Sequence, residues 1–242
     1  MDFRKIDNLS VDCVVLRLEE NALNVLLRKR TLNLYNENLP VIDDWVLPGH
    51  YVLKSNNLGE TANRVFKELT GEDHLHKNQF RTYGNAARIK SDKDLLWVRS
   101  RGAKVRTITV AYYLIVASNK DLLDVDDSLK WFKLKSLPEL GFDHHQIIND
   151  AYEDVKSKII TDPLIFDFVP IKFTLNELQM AFESILDVEL DNRNFRRKVS
   201  SKAYLVPLEE KQKGVSKKPS RLYMFSGDVY NQVAETDYII NK

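Results

Sequence analysis

Little in this sequence invites chemistry that depends on cross-links, membranes or metals. One cysteine in 242 residues cannot close an internal disulfide, which fits a reducing compartment. That residue, Cys13, sits inside the apolar run Val11–Leu18, where a buried structural thiol is expected rather than a reactive one. No apolar run approaches the length of a membrane span. The N-terminus MDFRKIDNLS lacks the apolar stretch of a signal peptide, so a cytoplasmic location without membrane contact is expected. The pairs His74-x-His76 and His144-His145 stand in polar segments without Cys or carboxylate ligands at metal-site spacing. Surface or capping roles are expected of them, and neither a metal nor a cofactor is expected. There is no internal repeat.

What is present reads as an ordinary soluble globular chain, 43% hydrophobic and 29% charged, long enough for one large domain or two small ones. The net charge of +1 conceals an asymmetry. Between Asp191 and Phe225 ten Lys or Arg stand against three acids, a local net of +7 that leaves −6 elsewhere. Such a division suggests two functional parts, the C-terminal one facing a polyanion.

The patterning supports two parts. Val11–Leu18 and Leu23–Arg30 read as adjacent strands, and Asp44–Leu47 as a short one ending at the Pro48-Gly49 turn signal. Leu58, Ala62, Val65, Phe66 and Leu69 fall at helical spacing, with Gly71 where a left-handed cap is expected. Lys104–Ala117 and Leu129–Leu134 are strand-like, and Gln146–Ile160 reads as a helix. Thr161–Lys172, holding Pro163 and Pro170, is the expected linker between a first domain at 1–160 and a second at 173–242. In the second, Thr174-x-x-Glu177 is a capping box ahead of the stripe Leu175, Leu178, Phe182, Ile185 and Leu186. Asp191 can cap a further helix anchored by Phe195 and Val199. Tyr204–Leu208 and Arg221–Phe225 read as strands joined by the basic loop EEKQKGVSKKPS. Two helices followed by a basic hairpin make a winged helix-turn-helix.

The stretch His50–Gly71, HYVLKSNNLGETANRVFKELTG, resembles the box of the Nudix diphosphate hydrolases, Gly-x5-Glu-x7-Arg-Glu-Ψ-x-Glu-Glu-x-Gly, where Ψ is a bulky apolar residue. Aligned on Arg64, Phe66, Glu68 and Gly71 it fits without a gap, but His50 stands at the first Gly, Asn56 at the first Glu, Val65 at the second and Leu69 at the last. The resemblance implies a Nudix-like α/β/α sandwich. Its chemistry needs several carboxylates on one helix face to hold divalent metal against a diphosphate, and Glu68 alone of the set at i, i+3 and i+4 survives. Glu60 could substitute only with a local insertion. Hydrolysis is therefore expected to be slow or absent, with no catalytic residue assigned. Arg28 and Arg30 on the second strand, Trp45, His50, Arg64 and Glu68 are the candidates to line the inherited cleft as a ligand site.

The segments RVFKELTG, KVRTITVAYYLIV, LPELGFDHHQII, FTLNELQMAFESIL, LDNRNFRRKVSSKAYL and KKPSRLYMF together resemble the Nudix-related transcriptional regulators of bacteria. The resemblance implies a ligand-sensing Nudix-like domain, a winged helix-turn-helix and a homodimer on a near-palindromic operator, with a small effector releasing or tuning repression. The eroded box looks closer to the sugar-responsive members, so a pentose or sugar phosphate stands beside an ADP-ribose-like nucleotide among expected effectors, and carbohydrate metabolism among expected roles. For the duplex DNA partner, Arg193, Asn194 and Arg197 are the candidates for base contacts and Arg196 and Lys198 for phosphates. Lys213, Lys217, Lys218 and Arg221 are the candidate wing contacts, although Lys217-Lys218-Pro219 departs from the usual Gly-Arg-Pro start. An active hydrolase cleaving ADP-ribose-like substrates with Mg2+ is the alternative, and an RNA-processing accessory a third reading.

Overall fold

The computed structural model describes residues 5–71, 77–117, 128–214 and 219–233. In chain order the strands and helices of the first part are β1 (Lys5–Glu19), β2 (Ala22–Leu32), β3 (Ile42–Val46), β4 (Gly49–Leu53), α1 (Leu58–Thr70), β5 (Lys77–Tyr83), α2 (Asp92–Ser100), β6 (Ile108–Ile115), β7 (Leu129–Lys133) and α3 (His144–Thr161). The second part adds β8 (Lys172–Phe173), α4 (Leu175–Leu186), α5 (Asn192–Ser200), β9 (Leu205–Lys211), β10 (Arg221–Phe225) and α6 (Gly227–Val233). Two compact units result, dividing inside α3 between Tyr152 and Glu153, with Arg17–Leu23 grouped with the second. No helix among the described residues is long and apolar enough to cross a membrane.

A seven-stranded mixed sheet forms the first unit. Its main path runs β3-β2-β1-β6-β5, with β4 also pairing β1 and β7 pairing β2. The central pair, β1 with β6, is parallel in register from Leu9↔Ile108 to Leu16↔Ile115. Val11, Cys13, Val14 and Val15 are fully buried there, as are Ala111, Tyr113 and Leu114, which suits near-continuous apolar strands covered on both faces. Burial also drives the Cys13 thiol up, away from ionisation. β1 and β2 are longer than the apolar runs alone suggest. They are joined by Glu20 and Asn21, both at positive φ, the backbone that a two-residue hairpin turn demands. The Pro48-Gly49 signal is a strand entry rather than a turn, since Gly49 opens β4 and pairs with Asp12. A Cβ at Gly49 would lie 2.6 Å from the Val11 carbonyl oxygen, so this close approach requires glycine.

Helix α1 runs where the periodicity places it. Asn57 caps it in a full capping box with Glu60, and Gly71 closes it at φ 77. Glu60 is thus held at the helix start: its carboxylate accepts from the Asn57 backbone N–H at 2.8 Å. Val65, Phe66 and Leu69 bury one face of the helix.

In the second unit, the stretch expected as linker is folded. Pro163–Asp167 forms a 3-10 turn, Leu164, Ile165 and Phe168 are buried, and β8 begins at Lys172. Apolar residues between the two prolines drive this, because exposure of Leu164, Ile165 and Phe168 together would forfeit several kcal/mol, at roughly 2 kcal/mol each. Phe166 stacks on Phe225 at 4.1 Å between centroids, and Tyr204 meets Tyr230 of α6 edge-on at 5.2 Å. The three-stranded sheet has the order β8-β10-β9, giving a winged helix-turn-helix built on α4, α5 and the β9–β10 hairpin.

Candidate functional site

A cavity of about 560 Å³ opens in the first unit. Of the residues expected to line a cleft, Arg28, His50, Arg64 and Glu68 do so. Trp45 does not. Side chains alternate across β3, so Val46 points to the cavity while Trp45 turns away and packs edge-on against Phe132 at 4.8 Å. Arg30 is also absent from the lining. It is 1% exposed and forms a buried salt bridge whose Nη2 reaches Asp44 at 2.9 Å and Asp94 at 2.5 Å, with the Phe142 ring 4.7 Å from its guanidinium. Arg30 is the largest fully buried side chain among the described residues.

The wall near α1 shows what became of the box. Glu68 meets His50 Nε2 at 2.6 Å, so the surviving carboxylate is tied to the residue at the first box position. Arg64 donates from Nη2 to the Tyr51 carbonyl at 3.1 Å. Val65 and Leu69, at the lost carboxylate positions, are 2% and 0% exposed. They belong to the core beneath the helix.

Deeper in lies a polar cluster that sequence reasoning did not assemble. Arg88 grips Asp143 with two hydrogen bonds, Nε at 2.7 Å and Nη2 at 2.9 Å, and its Nη2 also lies 3.5 Å from Asp12. His144 accepts the Leu47 backbone N–H at Nδ1 over 2.9 Å, which leaves its proton on Nε2, facing Asp12 at 3.7 Å. His144 is only 4% exposed, so the surface role expected of it is corrected: it sits under the cavity and fixes the strand entry at Leu47. Burial drives the Asp12 carboxyl up, but His144, Arg88 and Thr109 outweigh it and hold Asp12 below its ordinary value. Burial and the Asp12 charge push the Tyr51 phenol up, with Thr107 and nearby arginines opposing. His74 and His76 lie outside the described residues.

The lining as a whole is cationic. Arg28, Arg64, Arg88, Arg101 and Arg106 contribute five guanidinium groups against the carboxylates of Asp12 and Glu68. Trp97 and Phe142 supply aromatic faces, and Arg101 stacks over Trp97 at 4.3 Å. The Nε atoms of Arg28 and Arg64 are buried without a hydrogen-bond partner among the described residues.

In the second unit, Asp191 caps α5 through the Asn194 N–H at 2.8 Å. Phe195 and Val199 are buried, the former against Phe182 of α4 at 6.0 Å between ring centroids. Buried Gln179 ties the α4–α5 turn by donating to the Leu190 carbonyl at 3.0 Å. Two buried anchors one turn apart leave Arg193, Asn194, Arg196, Arg197 and Lys198 exposed together. Lys213 is exposed, and Arg221 is held by the Leu208 carbonyl at 2.9 Å and Glu209 at 3.1 Å. Lys217 and Lys218 lie outside the described residues.

A Nudix-like α/β domain with a carboxylate-poor box, followed by a winged helix-turn-helix, is the architecture of Nudix-related regulators. Comparison with known proteins agrees. Residues 165–225 match the family described as the NrtR DNA-binding winged helix domain. Over 229 residues, 92% of this chain and 84% of the relative, the sequence is 27% identical to the ADPR responsive transcriptional repressor NtrR of Acinetobacter baylyi. The fold aligns with NrtR of Shewanella oneidensis complexed with a 27mer DNA at a TM-score of 0.72 and 26% identity, covering 92% of this chain and 95% of that one. A MutT/nudix family protein from Enterococcus faecalis aligns at a TM-score of 0.64 and 22% identity, over 93% and 89% of the two chains, a likeness of fold alone. The Acinetobacter baylyi relative is described as responsive to ADP-ribose.

Proposed function

We propose that this protein is a transcriptional repressor whose Nudix-like domain senses a nucleoside-diphosphate sugar of the ADP-ribose type, and that it binds a near-palindromic operator as a homodimer. The observation that carries the ligand class is the surplus of arginine in the cavity: with Arg88 paired to Asp143 and Asp12, Arg28, Arg64, Arg101 and Arg106 still line it beside the single carboxylate of Glu68. A diphosphate satisfies buried guanidinium donors with charge-assisted hydrogen bonds, whereas a neutral pentose leaves most of the charge uncompensated. A volume of about 560 Å³ suits a ligand of that size. The name of the Acinetobacter baylyi relative supports the same class.

On this reading α5 enters the major groove. Arg193, Asn194 and Arg197 read base edges and Arg196 and Lys198 hold phosphates, with Lys213 and Arg221 bringing the wing to the backbone. Dimer half-sites would lie about 34 Å apart, one turn of duplex. The protein is not a working hydrolase on this account, because Glu68 is paired with His50 and the neighbouring box positions are apolar core.

A thermal-shift titration tests the ligand class. ADP-ribose at about 100 times its Kd should stabilise the protein by roughly 2.7 kcal/mol, while arabinose at the same concentration leaves the melting curve unmoved. Stabilisation by the pentose and silence of ADP-ribose would reverse the assignment. For the DNA-binding role, Arg196→Ala/Arg197→Ala should abolish most salt-dependent duplex binding without changing the melting temperature. Wild-type affinity in that variant would remove α5 as the recognition helix.

A further inference from the structure

The Nudix fold implies divalent metal at the diphosphate, yet the residues present do not fit one. A hard cation needs several oxygen donors. At the box only Glu68 offers a carboxylate, and it is bound to His50 at 2.6 Å. Val65 and Leu69 are buried apolar side chains, and Glu60 is engaged in capping α1. Asp12, the other carboxylate lining the cavity, already faces Arg88 and His144. Among the described residues no group of three or more His, Cys, Asp or Glu side chains could hold a metal ion. In the same cavity, Arg28 of β2 and Arg64 of α1 bring two guanidinium groups to the wall that holds Glu68.

We infer that Arg28 and Arg64 form a metal-independent phosphate subsite, taking over the charge neutralisation that a bound cation supplies elsewhere in this fold. The inference rests on the reading of this cavity as the effector site. A diphosphate entering without a cation must find positive charge and N–H donors in the wall. Arg64 lines the cavity and is held in place there, because its Nη2 donates to the Tyr51 carbonyl at 3.1 Å. Arg28 stands on β2 opposite Val46, a rigid strand position that fixes the guanidinium stem. A cation brought in beside these guanidinium groups would meet repulsion and a single occupied carboxylate. The consequence is an effector response that does not track divalent-metal concentration.

Isothermal titration of the intact protein with ADP-ribose, once in EDTA and once with excess Mg2+, is the test, with inorganic pyrophosphate in EDTA as a second probe. The expected result is the same Kd for ADP-ribose in both buffers. Arg28→Ala and Arg64→Ala should each weaken binding by about tenfold to a hundredfold, while circular dichroism and melting stay those of wild type. Arg28→Lys should recover part of the loss, since it restores charge but not the planar donor set. Binding of ADP-ribose that requires Mg2+ overturns the inference and leaves the nucleotide reading standing. If ADP-ribose is silent in both buffers but pyrophosphate binds in EDTA through Arg28 and Arg64, the subsite stands and the nucleotide reading falls. Silence of both probes overturns both.

Discussion

Replacing Arg88 by alanine would remove the cation that grips Asp143 and lies within 3.5 Å of Asp12. These carboxylates are 4% and 9% exposed, so neither can recover its lost partner from bulk water. Taking one member out of a buried, hydrogen-bonded ion pair costs about 3–5 kcal/mol, most of it from the charge left behind. At roughly 2–4 °C per kcal/mol for a chain of this size, the melting temperature should fall on the order of 10 °C. Differential scanning calorimetry on Arg88→Ala measures this directly. Arg88→Met/Asp143→Asn should then be less destabilised than the two single variants summed, with a coupling of about 1 kcal/mol or more. Recovery would be incomplete, because Asp12 still loses its arginine. A fall of less than about 2 °C in Arg88→Ala, or strict additivity in the double variant, would refute the view that this cluster holds the cavity floor.

Other consequences can be checked with the same material. Asp12 has a depressed pKa, so its stabilisation is present above its ordinary value of 3.8 and is lost as pH falls through the lower folded value. Asp12→Asn should therefore be less stable than wild type at neutral pH and lose less on acidification below about pH 4, read from urea midpoints across pH. Gly49→Ala should destabilise by about 1–3 kcal/mol, since its Cβ would press on a backbone oxygen. Gly59→Ala, inside α1 with nothing nearer than 3.4 Å, should instead stabilise by up to about 1 kcal/mol. Asp191→Ala should lower the stability of the second unit by about 1 kcal/mol through loss of the α5 cap, visible as faster hydrogen exchange in Asn192–Ser200.

Elements with a strong local signature are legible in the sequence itself. The capping box at Thr174 and the glycine stop at Gly71 are local chemistry, and α1, α4 and α5 carry clear apolar stripes. The elements that escape such reading are those whose residues speak weakly. β5 is an edge strand with Lys77–Tyr83 mostly outward and Tyr83 alone buried, so alternation barely registers. α2 buries only Asp94 and Val98, and β4 is a five-residue strand behind a proline. Within the site, Arg28, His50, Arg64 and Glu68 follow from the box and the neighbouring strand. The Asp12–Arg88–Asp143–His144 cluster does not, because its members come from distant segments of the chain and meet only in the folded sheet. The available signal is Asp12 itself, a lone carboxylate inside the apolar run Val11–Leu18. Its burial calls for a buried cation elsewhere in the chain.

Operator binding in the presence of the effector is the most direct test of the central claim that the cavity reports to the DNA-binding domain. Fluorescence anisotropy with a duplex selected by the protein itself gives an apparent Kd with and without saturating ADP-ribose. Coupling between two sites of a regulator is about 1–3 kcal/mol, so operator Kd should change about fivefold or more, and the change should be lost in Arg28→Ala/Arg64→Ala. An operator Kd that stays the same at saturating ADP-ribose, with ligand binding verified in the same sample, would contradict it.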